Sequence, residues 1–338
     1  MTLTAPTPKL LWLCAMVWLC VHGVAFTDFR EFKVLLTSWT EVVLPLDKQF
    51  LYSSPWLAML GRALAPLLGP SLSYATLCIA GLGLLGFSLH KSLLRSCGPD
   101  KVWLAWLLLM STPLPMVLLQ WVGKSDSYLL AAWLLMRLTN RQAVHLALAM
   151  VMVLCHRELA LLILSLDALL ARRLRPAVLV GAAVGIGMMA AYHHVILDRV
   201  PAGRVAYAAQ GQWSIPLGNL TMWPAMLACS LSWAWVPFIA FCKPKWLDAA
   251  LLVTCLGIAA MTLDFTRIFV LLSLPWLLQL TQRGTLAAAQ AIQKDRRWVL
   301  VVALLATLPS AQLVNFKITG SRIFENIDML NSIISHAR

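Results

Sequence analysis

The chain has 338 residues, 60% of them hydrophobic and only 12% charged, with a formal net charge of +13. A soluble domain is nearer one quarter charged, and apolar runs long enough to cross a bilayer recur along the whole sequence, so a soluble globular protein is excluded. The basic residues fall in short clusters between apolar runs, which is how membrane topology is written, so a nucleic-acid partner is not expected.

The first apolar run, residues 10–26, follows a single Lys and lacks a small-residue cleavage site; it reads as a retained first helix rather than a signal peptide. Residues 27–70 form the longest outward segment between helices. Within it "FREFKVLLTSWTEVVLPL" fits a helix lying in the interface. "LYSSPWLAMLGRALAPLLG" is a second such element or a re-entrant one, broken by Pro55, Pro66 and Pro70. Further spans are expected near 71–89, 102–122, 128–138, 143–155, 159–171, 177–196, 222–242, 247–263, 268–282 and 298–314. The fold expected is all-α: one polytopic transmembrane domain over 1–338 with about 11 transmembrane or re-entrant helices and a short tail at 315–338.

The connecting segments alternate in charge. "HKSLLRSCGPDK", "RLTNRQ", "ARRLRP", "CKPKW" and "QRGTLAAAQAIQKDRRW", with Lys9, hold 15 of the 27 Lys and Arg, and they are placed on the cytoplasmic side. The other set holds 10 of the 14 acids and faces outward, which puts the N-terminus inside and the C-terminal tail outside. Keeping "RLTNRQ" and "ARRLRP" on one side requires the chain to turn back at His156-Arg157-Glu158. Each arm then has about 13 residues where a full span needs about 20, so the turns at 123–127 and 156–158 are expected below the outer membrane surface. Irregular backbone and charge at that depth need protein or water around them.

Four outward clusters set acid beside base at helix ends: Asp28, Arg30, Glu31 and Lys33; Lys124 and Asp126; His156, Arg157 and Glu158; Asp264 and Arg267. Ionisable groups at membrane depth are candidates for function, and these are read as one cavity. Plainer readings stand beside this one. Asp264 and Arg267, three apart, could neutralise each other across a turn. Lys124 and Asp126 could cap a hairpin. His193 and His194 point to different helix faces and read as interfacial residues rather than a metal pair. Asp167 and Asp248 read as lone topology charges near cytoplasmic ends. The eight cysteines form no CxxC pair, so neither a disulfide framework nor a zinc site is expected. The fifteen tryptophans fit interfacial anchoring.

This layout, with "TPLPMVLLQWVGKSDSYLLAAWLL" at 112–135 and an acid just after the first helix, resembles the GT-C superfamily of membrane glycosyltransferases. The resemblance implies interfacial helices in the first outward loop and a polyprenyl-phosphate sugar used on the outer face of a membrane. The chain departs from that pattern in separating Asp28 and Glu31 by two residues, where many members carry adjacent acids. Two dozen residues follow the last apolar run, where many members carry a soluble domain.

The resemblance implies an inverting transfer of sugar to a glycan or lipid acceptor. Asp28 would be the carboxylate base, with Glu31 second, and arginine would meet the departing lipid phosphate. Arg267 and Arg157 are the candidates for that phosphate, helped by Lys124. Glu158, Asp126 and Asp264 would orient the cations or bind sugar hydroxyls, and His156 is either a proton carrier or a structural residue. No motif demands a metal or other cofactor, although the acids leave room for a divalent ion. The small size and the Leu, Ala and Arg content suggest a bacterial inner membrane. A transporter or flippase of a lipid-linked or anionic substrate is the main alternative, disfavoured by the absence of an internal repeat.

Overall fold

The computed structural model describes residues 8–24, 54–196, 214–242, 245–308 and 310–319. They are helical apart from one small hairpin. The helices are α1 (Pro8–His22), α2 (Pro55–Leu68), α3 (Pro70–Cys97), α4 (Val102–Met110), α5 (Leu114–Gln120), α6 (Asp126–Leu138), α7 (Gln142–Cys155), α8 (Arg157–Ala171) and α9 (Pro176–Ala191). A π turn over Tyr192–Ile196 follows, then α10 (Ser214–Thr221), α11 (Trp223–Leu231), α12 (Trp235–Phe241), α13 (Trp246–Ala260), α14 (Phe265–Lys294) and α15 (Arg297–Thr307). Strands β1 (Gln312–Val314) and β2 (Lys317–Thr319) pair antiparallel, Leu313 opposite Ile318.

Proline marks many of the boundaries. It opens α2, α3 and α9, where its missing N–H leaves no bond unmade. Pro113 and Pro115 break the expected 102–122 span into α4 and α5, bent by 68°. Three helices are long and apolar enough to cross a membrane: α3, Pro176–His194 and Trp223–Phe241. The bent α4–α5 pair makes a fourth if it is one span. Several of the expected spans are shorter: α7 has 14 residues and α8 has 15, about 21 and 22 Å of helix against a hydrocarbon core of about 30 Å. The three helices α3, Pro176–His194 and Trp223–Phe241 mark the chain as a helical membrane protein.

Two expected boundaries are corrected. "QRGTLAAAQAIQK", expected in a loop, continues α14, whose 30 residues run about 45 Å. Ala and Gln are strong helix formers, and Ala288, Ala289 and Ile292 bury against α4 and α15. The final span stops at Thr307, and the chain then turns into the β-hairpin instead of staying helical to 314.

The chain forms two compact units. The first comprises 1–25, 90–120 and 213–335; the second comprises 26–89, 121–212 and 336–338. In the first, α14 is the central element, buried almost throughout its first half, with α13, α12, α4, α15 and β1 against it. One cluster joins Trp103, Leu104 and Leu107 of α4 to Ala288, Ala289, Val302 and Ala306. In the second unit α7 packs on both α6 and α9. Gly181 and Gly185 of α9 make the α7 contact close. A Cβ at Gly181 would overlap the Leu146 carbonyl, and one at Gly185 would lie 2.9 Å from the Val153 Cβ. This small-xxx-small spacing lets backbones approach as in other membrane helix pairs.

The tryptophans divide. Trp12, Trp223 and Trp246 are exposed as interfacial anchors would be, whereas Trp18, Trp103, Trp133 and Trp276 are core residues. All eight cysteines are free thiols.

Candidate functional site

In the second unit, five expected site residues occupy adjoining turns. α7 ends at Cys155 and α8 begins at Arg157, with His156 extended between them (φ −166°). Its Nδ1 accepts from the Leu159 N–H at 3.3 Å, capping α8. The Cys155 carbonyl accepts from Ser125 Oγ at 2.6 Å and from Ser54 Oγ at 2.7 Å. These two bonds tie the 121–125 turn and the start of α2 to the α7–α8 turn. Tyr74 and Tyr128 donate their hydroxyls to the Val122 and Leu77 carbonyls, fixing the same turn against α3.

Asp126 is buried at the head of α6, where the helix dipole favours a carboxylate. Lys124 lies over the Trp121 ring, 4.5 Å from its centroid. Arg157 and Glu158 are half-exposed and bonded at 2.7 Å, and His156 Nδ1 lies 3.5 Å from the other Glu158 oxygen. Burial acts to raise the Glu158 carboxyl, but the Arg157 hydrogen bond, its own backbone N–H and the Arg157 charge outweigh it. The group is held below the ordinary carboxylate value.

At the other end of α7 and α8, residues of "RLTNRQ" and "ARRLRP" come together around one cavity. The turn-back at His156 therefore does put both basic loops on the same side. The expected lone charge Asp167 is bonded to Arg137 at 3.3 Å.

In the first unit, Asp264 and Arg267 lie where α13 turns into α14. Arg267 is 3% exposed and donates to Asp264 Oδ2 at 3.3 Å. Buried polar bonds tie the segments that meet at this turn. Thr266 Oγ1 accepts from the Leu313 N–H at 2.7 Å, and the Asn315 N–H reaches the Leu263 carbonyl at 2.9 Å. Gln312 Nε2 donates to Gln120 Oε1 at 2.7 Å, and Asn219 Nδ2 donates to the Ala260 and Thr262 carbonyls. A positive charge in the first turn of a helix opposes the dipole, so Arg267 sits where helix electrostatics disfavour it.

The far end of this unit holds a network that reading along the chain missed. Asp248, expected to be a lone charge, accepts two bonds from Arg283, one from Trp276 Nε1 at 3.0 Å and one from the Lys245 N–H at 2.9 Å. Its partners lie 28 and 35 residues away, beyond any local pattern.

Asp28 and Glu31 lie outside the described residues. His193 is buried and His194 exposed, on different faces as expected. Among the described residues no group of three or more His, Cys, Asp or Glu side chains could hold a metal ion. No family model matches the chain. Neither a curated protein nor a solved structure matches it.

Proposed function

We propose that the chain is a membrane glycosyltransferase that moves a sugar from a polyprenyl-phosphate carrier to an acceptor on the outer face of a bacterial inner membrane. The observation that carries the reading is Arg267: a permanently charged guanidinium, 3% exposed, in the first turn of α14 and bonded to Asp264. A guanidinium offers a phosphate two parallel donors, and a phosphate group gains from the helix dipole that disfavours the arginine. Arg267 is the ligand for the departing lipid phosphate in this reading, and Asp264 orients it. Asp28, just after the first helix, is the base that takes the acceptor's proton, with Glu31 second. In this reading Arg157 of the second unit is the alternative phosphate ligand, and Lys124, Asp126, His156 and Glu158 are candidates for binding sugar hydroxyls.

The layout and the acid after the first helix support an enzyme of the GT-C kind. The 68° break between α4 and α5 is the feature that favours the other reading, a transporter or flippase, because broken helices often build transport sites. One assay separates them. Purified protein is reconstituted in liposomes with radiolabelled polyprenyl-phosphate mannose and polyprenyl-phosphate glucose, and with mixed glycan and lipid acceptors. Release of polyprenyl phosphate with labelled product supports the enzyme. Movement of label across the bilayer without product supports transport, and neither outcome sinks both.

A further inference from the structure

The cavity between the two basic loops of the second unit has a volume of about 290 Å³ and is lined by Asn140, Gln142, His145, Arg173 and Arg175. It stands at the opposite end of α7 and α8 from the His156 turn and has no role in the proposed transfer. A second cavity of about 90 Å³ runs between α8 and α9, lined mainly by Leu161, Leu164, Leu174, Val178 and Leu179. Arg173 and Arg175 line both. A polar, cationic chamber thus meets an apolar groove at two guanidinium groups.

The electrostatics favour an anion. Arg172, in the left-handed conformation (φ 50°), ends α8 and reverses the chain so that Arg173 and Arg175 lie within four residues of its last turn. His145 is 5% exposed, and its Nε2 lies 2.9 Å from the Thr139 carbonyl and 3.3 Å from Arg175 Nη1. With the proton on Nε2 directed at Thr139, His145 offers Arg175 no acceptor, which leaves that N–H for a ligand. α7 and α9 both begin at the cavity, at Gln142 and Pro176, and neither is capped by the side chain of its N-cap residue. The one carboxylate in the walls, Asp167, lies in the apolar groove and is bonded to Arg137.

We propose that this composite cavity binds an anionic phospholipid, its phosphate held between Arg173 and Arg175 and an acyl chain lying along the α8–α9 groove. Basic pockets between membrane helices suit such headgroups, and the exposed Leu174 and Leu179 extend the groove toward lipid. The groove is what selects a lipid over a free phosphate, since a soluble anion has no use for its leucines.

The test uses the full chain in neutral detergent, with dioleoyl phosphatidylglycerol, dioleoyl phosphatidylcholine and inorganic phosphate as separate probes. Binding is read by native mass spectrometry and by tryptophan-monitored melting. Phosphatidylglycerol is expected to bind at one copy and to raise the melting temperature. Arg173→Gln combined with Arg175→Gln should weaken it about tenfold or more, the loss of charge-assisted bonds. Arg173→Gln alone, at an exposed position, guards against misfolding and should weaken it several-fold. Leu179→Asn should weaken the lipid and leave any phosphate binding unchanged. Equal binding of phosphatidylcholine, or unchanged binding in Arg173→Gln and the double variant, overturns the site. A full shift with inorganic phosphate and no effect of Leu179→Asn overturns the lipid and leaves a soluble-anion pocket.

Discussion

Replacing Asp248 by alanine removes the acceptor that joins the head of α13 to the middle of α14. Three donors lose it: Arg283, Trp276 Nε1 and the Lys245 N–H. Trp276 is 3% exposed, so its indole N–H is left buried and unbonded, at about 1–3 kcal/mol. The Arg283 side chain is 30% exposed and can turn to water, so its share falls below the roughly 3–5 kcal/mol of a fully buried broken pair. The sum expected for Asp248→Ala is about 3 kcal/mol, a drop of roughly 4 °C in melting temperature for a chain of this length. Asp248→Asn keeps one acceptor oxygen, for Trp276 Nε1 or for the Lys245 N–H but not for both, and should lose less than Asp248→Ala. Melting of the two variants in detergent, followed by tryptophan fluorescence, tests the ordering. Equal melting of Asp248→Ala, Asp248→Asn and the parent chain would refute the role given to the network.

Other consequences follow from the same geometry. Gly181→Leu forces α9 away from the Leu146 carbonyl and should cost at least about 2 kcal/mol, whereas Gly187→Leu, where a Cβ meets open space, should be near neutral; paired melting curves decide. The Glu158 carboxyl is held below its ordinary value of 4.5, so its contribution to stability is present above that pH and is lost as pH falls through the lower, folded value. Between pH 5 and pH 3 the parent should therefore lose more stability than Glu158→Gln, and parallel slopes would contradict the assignment. Its half-exposure keeps the difference below about 1 kcal/mol. In the proposed enzyme Arg267→Leu should reduce turnover about a hundredfold or more, with Arg267→Lys intermediate, and full activity in Arg267→Leu would end the phosphate role.

Much of the helical layout could be read along the chain because its causes are local. Apolar runs placed most helices within a few residues, and prolines marked where several begin. Within the first unit, distant segments meet at two opposite ends. Ser96 meets Gln282 and Asp248 meets Arg283 on one side, while Gln120 meets Gln312 and Asn219 meets Thr262 on the other. Charge misled the reading at 283–294, where Arg283 and Lys294 suggested a loop and the alanines between them kept the helix. The pairing of Asp248 with Arg283, the pairing of Gln120 with Gln312, 192 residues apart, and the β-hairpin depend on contacts between distant segments, which periodicity does not encode. The α4–α5 break is marked in the sequence by Pro113 and Pro115, and the close α7–α9 contact by Gly181 and Gly185. The acid-beside-base clusters at 124–126, 156–158 and 264–267 are legible in the sequence because each interrupts or borders an apolar run.

The most direct test of the account is a cryo-electron microscopy structure of the parent chain in lipid nanodiscs with undecaprenyl phosphate added. The account predicts phosphate density within hydrogen-bond reach of the Arg267 guanidinium, lost in Arg267→Leu. Phosphate density at Arg157 with none at Arg267, or no bound carrier at either, would contradict it.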